Sequence, residues 1–293
     1  MLQSFFERLT HKTMPKSLPD ELYHYTSIHG LKGIVESQAL WATHYKYLND
    51  AEEIMHFRDR LPDILCPVFK NLFSGLTPQQ KQLLLDEYRS IDIALKEEPK
   101  KLATIMYNVT FGGTRNNPPI AEPHITSFCT IDKTNARIAN HGLLSQWRGY
   151  GAQGGYVIIF DTEGLIELLH EEGKKWDYSA VFAGDVVYSS ATDEEMRDEF
   201  CTHINAIQKN WEQTLRKLDP TALEDTYKHF VSCACRYKHW GFAEEREFRI
   251  VVAPTSPKIV EIAKKEGRTT PKKPISSFLR NRTGFRISIS LRA

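Results

Sequence analysis

The sequence predicts an α+β protein, and three observations lead there. Strand candidates cluster near the N-terminus and again in the second half of the chain. A long helical stretch, residues 50 to 107, separates the two groups. Two further helices interrupt the late strands, so the regular alternation of a parallel βαβ series is missing. With 293 residues, 41% of them hydrophobic, the chain can bury a substantial core as one domain, with the helical stretch inserted in it.

"ELYHYTS" (Glu21 to Ser27) reads as a short strand, and Ser27 can cap a helix with Ile28, Leu31, Ile34 and Val35 spaced three or four apart. The middle of "ALWATHYKYLNDAEEI" reads as a strand, with Asn49 or Asp50 capping the next helix. Thr77, Pro78 and Gln80 form a capping-box pattern with proline at the first helical position, which predicts a helix to about Glu97. "FGGTRNNPPIAEP" is a loop by its Gly, Asn and Pro content.

After that loop the character changes. "HITSFCT" is a strand candidate, and the nearly all-apolar "GYVIIFD" suggests a strand buried on both faces. "AVFAGDVVYSS" is a further strand region. Thr192 and Glu195 frame a helix to about Leu218, and Asp219 to Trp240 is a second one. "REFRIVVA" and "FRISISL" are late strands. No internal repeat, no GxGxxG after a strand and no Walker-type loop occurs. "GYGAQGGY" precedes a strand rather than a helix, so it lacks the geometry that cradles phosphate.

Charge is unevenly spread. Residues 255 to 293 hold ten Lys/Arg against two Glu, a net of +8; against +1 for the whole chain, this leaves −7 on residues 1 to 254. A basic end on an acidic body points to nucleic acid, phosphate or an acidic partner, or to a solvated end. No apolar run of 18 residues occurs, so no membrane span is expected. The scattered set Cys66, Cys129, Cys201, Cys233 and Cys235 suggests reduced thiols in the cytoplasm. With no CxxC, no HExxH and no close Cys/His set, a zinc site is not expected.

Four clusters carry residue types suited to chemistry. "WGFAEEREFR" places Glu244, Glu245 and Glu247 at the mouth of an apolar strand. Strand alternation puts Glu245, Glu247 and Arg249 on one face, and Arg246, Phe248 and Ile250 on the other. Such a pair is either a working pair or the solvated face of an edge strand. Trp147, Arg148 and Tyr150, in a glycine-rich approach to a strand, can clamp an aromatic ring and a phosphate, or simply close the core. In "LYHYTS", Tyr23 and Tyr25 share a face and His24 takes the other. In "YLNDAEE", Asn49 and Asp50 most simply cap a helix.

Together and in this order, "LYHYTS", "LNDAEE", "TSFCT", "WRGYGAQGGYVIIFD" and "WGFAEEREFRIV" resemble a bacterial family catalogued as a domain of unknown function, DUF2971. The resemblance runs from about Glu21 to Val252. The layout is similar to the ADP-ribosyltransferase superfamily, especially its branch acting on nucleic acids. That resemblance implies a split mixed β-sheet core with helical insertions and NAD as substrate, with no metal. It implies His24 as the first-strand residue holding the adenosine end of NAD, with Tyr25 beside it. Trp147 or Tyr150 is then the aromatic against the nicotinamide, Arg148 a partner for the pyrophosphate, and Glu247 the catalytic carboxylate with Glu245 as its partner.

The chain departs from the family pattern twice. One or two extra residues stand between Trp240 and the E-x-E pair, so Glu244 competes for the role given to Glu245. The chain also stops at "FRISISLRA", where the family continues with further elements. The implied activity is transfer of ADP-ribose or cleavage of NAD, as a toxin or phage-defence effector. Two other readings stand beside it. One is a nucleic-acid-binding or metal-dependent nuclease-like effector in which Asp50, Glu245 and Glu247 hold a divalent ion. The other is a noncatalytic binding module.

Overall fold

The computed structural model describes residues 18–48, 53–112, 119, 121–151, 154–176, 178–190, 193–217, 221–254 and 284–288. The chain divides into two compact units. Met1–Ala51, Glu122–Ser190 and Lys238–Ala293 make the first, Glu52–Ala121 and Ala191–Tyr237 the second. The helical stretch expected over 50 to 107 therefore belongs with the two later helices.

The first unit is built on a split antiparallel sheet. Strand β1 (Glu21–Ser27) leads into helix α1 (Ile28–Ser37), and Ser27 Oγ caps it by accepting from Gly30 N–H at 3.2 Å. Of the four apolar positions expected to face inward on α1, Ile34 is buried while Ile28 and Val35 are exposed. Strand β2 (Ala39–His44) follows.

The second unit is helical. Helix α2 (Glu53–Ser74) buries Phe57, Leu61, Ile64 and Leu65. The capping box of α3 (Pro78–Tyr88) forms as predicted, with Gln80 N–H to Thr77 Oγ1 at 3.3 Å and Thr77 N–H to Gln80 Oε1 at 2.9 Å. The helix does not run on to Glu97. Arg89 takes the left-handed region (φ 63°), and Ser90 caps a new helix, α4 (Ile91–Phe111).

Strand β3 (His124–Cys129) organises the sheet of the first unit. Next come the short helices α5 (Ala136–His141) and α6 (Leu144–Tyr150), then β4 (Gly155–Asp161), α7 (Thr162–Lys175), β5 (Tyr178–Asp185) and β6 (Val187–Tyr188). Helices α8 (Asp193–Lys217) and α9 (Thr221–Ala234) return to the second unit; Thr192, the predicted cap of α8, lies outside the described residues. Helix α9 ends at Ala234 rather than Trp240, because β7 (Tyr237–Lys238) and a 3₁₀ turn (Trp240–Glu245) precede β8 (Glu247–Pro254). Strand β9 (Gly284–Ser288) completes the order.

One edge of β3 pairs with β8 along its length, from His124↔Val252 to Cys129↔Glu247. The other edge is shared: Tyr23 of β1 pairs at Cys129, and Thr43 and His44 of β2 pair at Ile125 and His124. Strand β1 carries β4, β2 carries β9, and β5 adds to the far side of β8. Every pairing within the seven-stranded sheet runs antiparallel, so the expected α+β sheet is split but, among the described residues, not mixed. Strand β8 lies between β3 and β5, not at an edge. Strand β4 is the surprise: it pairs only with β1 among the described strands, and Ile159 is 53% exposed, so its apolar run does not mark burial on both faces. The core of this unit lies on one face of the sheet. Leu22, Phe128, Phe248, Ile250 and Val252 meet Ile34 of α1 and Leu165 and Leu169 of α7 there.

Candidate functional site

The register sorts the sequence-predicted residues onto two faces. Cys129 stands opposite both Tyr23 and Glu247, and Ser127 stands opposite Arg249, so these side chains share one face. His24 alternates to the other. Its ring lies 5.6 Å from that of Phe128, in the apolar core, and its Nδ1–H donates to the Ser127 carbonyl at 3.0 Å. Burial lowers its pKa, against that hydrogen bond. The structure therefore does not bring His24 together with Glu247: the sheet stands between them.

The Glu247 face holds a second, smaller cluster of Tyr25, Cys129 and Leu143, with Tyr23, Ile138, Trp147 and Val157 packed against it. Tyr25 is buried and meets the Trp147 ring edge-on at 4.9 Å, and its hydroxyl accepts from Leu143 N–H at 2.9 Å. Trp147 Nε1–H donates to the His141 carbonyl at 2.7 Å. Both aromatics are thus engaged in packing and hydrogen bonds. The glycines around them serve that packing. Gly142 has φ 72°, and a Cβ there would collide with the Tyr25 hydroxyl. A Cβ on Gly155 would come within 2.5 Å of Gly151 Cα and 3.2 Å of the Trp147 ring. Trp147, Arg148 and Tyr150 sit on α6, not in a flexible approach. Its outward members are Arg148, which is exposed, and Tyr150, which is 47% exposed.

The carboxylates are not on a solvated edge. Glu247 opens β8 and is 6% exposed. Arg249 Nη2 donates to Glu247 Oε2 at 2.9 Å, and Lys238 Nζ donates to the same oxygen at 3.0 Å. Lys238 Nζ also reaches Glu245 Oε2 at 2.8 Å. Glu245 is not on the strand: it ends the 3₁₀ turn, and Arg246 in the left-handed region (φ 45°) redirects the chain into β8. Glu244 is exposed, so Glu245 is the carboxylate that joins Glu247. The residues that lengthen the Trp240-to-Glu247 spacing are the ones that make this turn.

Burial by itself would raise the Glu247 pKa. Arg249 and Lys238 outweigh it, helped by hydrogen bonds from Ser127 and Lys238, and hold it at about 2. Glu247 N–H donates to the Tyr188 hydroxyl at 2.9 Å. Burial pushes the Cys129 thiol up, and Glu247 and Glu245 push it the same way, so Cys129 is not a thiolate nucleophile. The Tyr150 pKa is raised first by desolvation and then by Glu247 and Glu245, which places its hydroxyl in the same field. Around this centre Trp240 and Phe242 are exposed, and Lys238 Nζ lies 4.5 Å from the Phe242 ring centroid.

Sequence reasoning missed Lys238, Ser127 and Tyr188. It put Arg249 on the correct face but not in contact with Glu247. Asp50, the third carboxylate of the metal reading, lies outside the described residues, as does Asn49. Among the described residues no group of three His, Cys, Asp or Glu could hold a metal ion, and the space shared by Glu245 and Glu247 is filled by an ammonium.

Residues 146–250 match the family DUF2971, described as a protein of unknown function. The match begins at Gln146 in α6 and ends inside β8, so this DUF2971 segment carries Trp147, Arg148, Tyr150, Lys238, Glu245, Glu247 and Arg249. It covers less than half of the chain and leaves out β1, with His24 and Tyr25. No curated protein and no solved structure matches the chain. Among the described residues no helix is long and apolar enough to cross a membrane.

Proposed function

We propose that this protein cleaves NAD at the nicotinamide–ribose bond and passes the ADP-ribose to an acceptor or to water. The observation that supports this most is Glu247: a carboxylate held ionised at the mouth of an interior strand, in the same field as Tyr150, which is 47% exposed. When the C–N bond breaks, its electron pair leaves on the nicotinamide nitrogen and positive charge builds on the ribose. An ionised carboxylate bonded to a ribose hydroxyl stabilises that charge where it develops. The incoming acceptor loses its proton to Glu245 or to solvent. Tyr150 stacks the leaving ring and Arg148 faces the pyrophosphate. His24 is dropped from this reading because it faces the core, and Tyr25 and Trp147 support α6 from beneath.

The toxin or phage-defence role rests on the family resemblance alone. The cytoplasm suits the five cysteines, none of which is in a disulfide. Residues 255–293, with their net charge of +8, would carry the protein to nucleic acid. Binding would then weaken steeply with salt, and reversing Lys264, Lys265, Lys272 and Lys273 would flatten that slope.

The test is to incubate pure protein with NAD and follow nicotinamide release, with and without EDTA and nucleic acid. Release that survives EDTA and disappears in Glu247→Gln is expected. Tyr150→Ala should weaken NAD binding roughly five- to a hundredfold, by about 1–3 kcal/mol, as for other stacked rings. Release abolished by EDTA and restored by Mg²⁺, or unchanged in Glu247→Gln, overturns the reading.

A further inference from the structure

Lys238 has no role in any of the motifs above, yet it is the charge of the site that joins both carboxylates. Its side chain is 9% exposed, while that of Glu245 is 23% exposed and that of Glu247 7%. Its ammonium is shared between the two carboxylates, at 2.8 and 3.0 Å. Its own backbone is fixed, because the Lys238 carbonyl accepts from Ser189 N–H at 2.8 Å. A lysine ammonium is a compact point charge with three donors, which suits bridging two carboxylates. Arg249 approaches the same oxygen of Glu247 from within β8. The charged and titratable groups facing Glu247 are therefore Lys238 from β7, Glu245 from the turn, Arg249 from β8, Cys129 from β3, Tyr188 from β6 and Tyr150 from α6.

We infer that Lys238 is the positioning residue of this site: it clamps Glu245 and Glu247 into one unit and turns Glu247 Oε2 inward against Arg249. Without it, two carboxylates two residues apart repel each other, and Arg249 is the one cation left on Glu247. With it, the four charged groups sum to zero. An anionic substrate then meets no net repulsion from them, while Glu247 keeps one fixed orientation. The kinetic side of this inference rests on the NAD reading; the electrostatic side does not.

Two readouts keep these apart. The first is the carboxylate carbon shift of Glu247 in ¹³C-glutamate-labelled full-length protein, assigned with Glu247→Gln. In the wild type it stays flat from about pH 7 to pH 4, because the group remains ionised through the normal glutamate range. In Lys238→Met its midpoint moves up by about one unit or more, since the burial cost remains and one cation is gone. Lys238→Arg keeps the curve flat. If Lys238→Met does not fold, Lys238→Met/Glu245→Gln, which removes one charge of each sign, is read the same way. A midpoint no higher than the wild type's in the folded methionine variant, with both proteins titrated on down to about pH 2, overturns the inference. The second readout is nicotinamide release. A fall in kcat of about a hundredfold is expected in Lys238→Met, the range for losing one preorganised electrostatic contact. KM should change by less than about threefold, and Lys238→Arg should recover much of the rate. Unchanged kcat in Lys238→Met, in a protein whose wild type is active, overturns the positioning role. If the wild type releases no nicotinamide, the NAD reading fails, and the titration alone decides what Lys238 does.

Discussion

In the first unit, Lys238 Nζ reaches two carboxylates within 3.0 Å and lies 4.5 Å from the ring of Phe242, which is 37% exposed. In the second unit, Arg236 Nη1 reaches Glu199 at 2.8 Å and Arg236 Cζ lies 5.0 Å from the ring centroid of Phe200, which is fully buried. Each unit thus buries a cation over an aromatic ring. The continuations differ. In the second unit Arg236 Nη2 touches Ser232 Oγ at 3.5 Å, Ser232 meets His203 Nε2 at 3.1 Å, and the Nδ1 atoms of His203 and His229 are 2.9 Å apart. That chain ends in a pair of imidazoles among helices, of which His203 has its pKa lowered by burial. In the first unit the chain ends in a carboxylate held ionised in the same field as Tyr150, which is 47% exposed. A buried network whose ring partners are closed in looks structural. One that opens onto exposed rings looks like a site.

The largest expected effect tests how tightly each network is compensated. Arg249→Met leaves the buried Glu247 with Lys238 as its one cation, and breaking a buried ion pair from one side costs about 3–5 kcal/mol. Arg236→Met should cost less, about 1–3 kcal/mol, because the Glu199 side chain is 22% exposed and water can replace its partner. Urea unfolding with an unchanged m-value measures both. Equal costs would break the comparison, since they would make the first network as purely structural as the second.

Proton linkage separates the two networks more sharply. Burial lowers the His203 pKa, with Arg236 and His229 acting in the same direction. Below the ordinary histidine pKa of about 6.5 the unfolded chain binds a proton that the folded chain refuses, so stability falls as pH falls. The Glu247 pKa is lowered from 4.5 to about 2, so its contribution is present above about 4.5 and lost only as pH drops toward 2. His24 and His44 in the first unit are also lowered by burial, so differences between variants are the proper measure. The stability of wild type minus that of His203→Phe should fall between about pH 6.5 and pH 5, by up to about 1.4 kcal/mol per pH unit. Wild type minus Glu247→Gln should stay level there and fall below about pH 4.5. A level His203 difference would mean that this imidazole is not held neutral.

Much of the frame behind this contrast was legible in the sequence, and the missing parts have identifiable causes. The Ser27 cap, the Thr77–Gln80 box and the strand at Glu247 are local signals, and all three formed. The break at Arg89 was not legible, because a non-glycine residue took the left-handed turn. "GYVIIFD" misled because an apolar run does not say whether a neighbouring strand exists on each side. Alternation separated His24 from Tyr23 and Tyr25, but only the Tyr23↔Cys129↔Glu247 register says which face is which. The role of Lys238 was invisible for the same reason. Nothing in "CRYKHW" marks a buried lysine, and its partners are set by the 3₁₀ turn that brings Glu245 back beside β8.

The smallest effect concerns the ring over Lys238, and it probes whether the first network really opens outward. Phe242 is partly exposed, so Phe242→Leu leaves little cavity behind. What it removes is mainly the attraction between the ammonium and the ring face, about 0.5–1 kcal/mol at a solvent-accessible site. The same change in a Lys238→Met background should cost almost nothing, because the cation is gone. The coupling between the two substitutions, read from four unfolding curves, is therefore expected near 0.5 kcal/mol, a size typical of weakly coupled neighbours. Zero coupling would show that the ring does not rest on Lys238 in solution. Coupling above about 2 kcal/mol, the size for a desolvated pair, would show that the rim is closed. The first network would then resemble the one around Arg236, and the argument for a site at Glu247 would lose its opening to solvent.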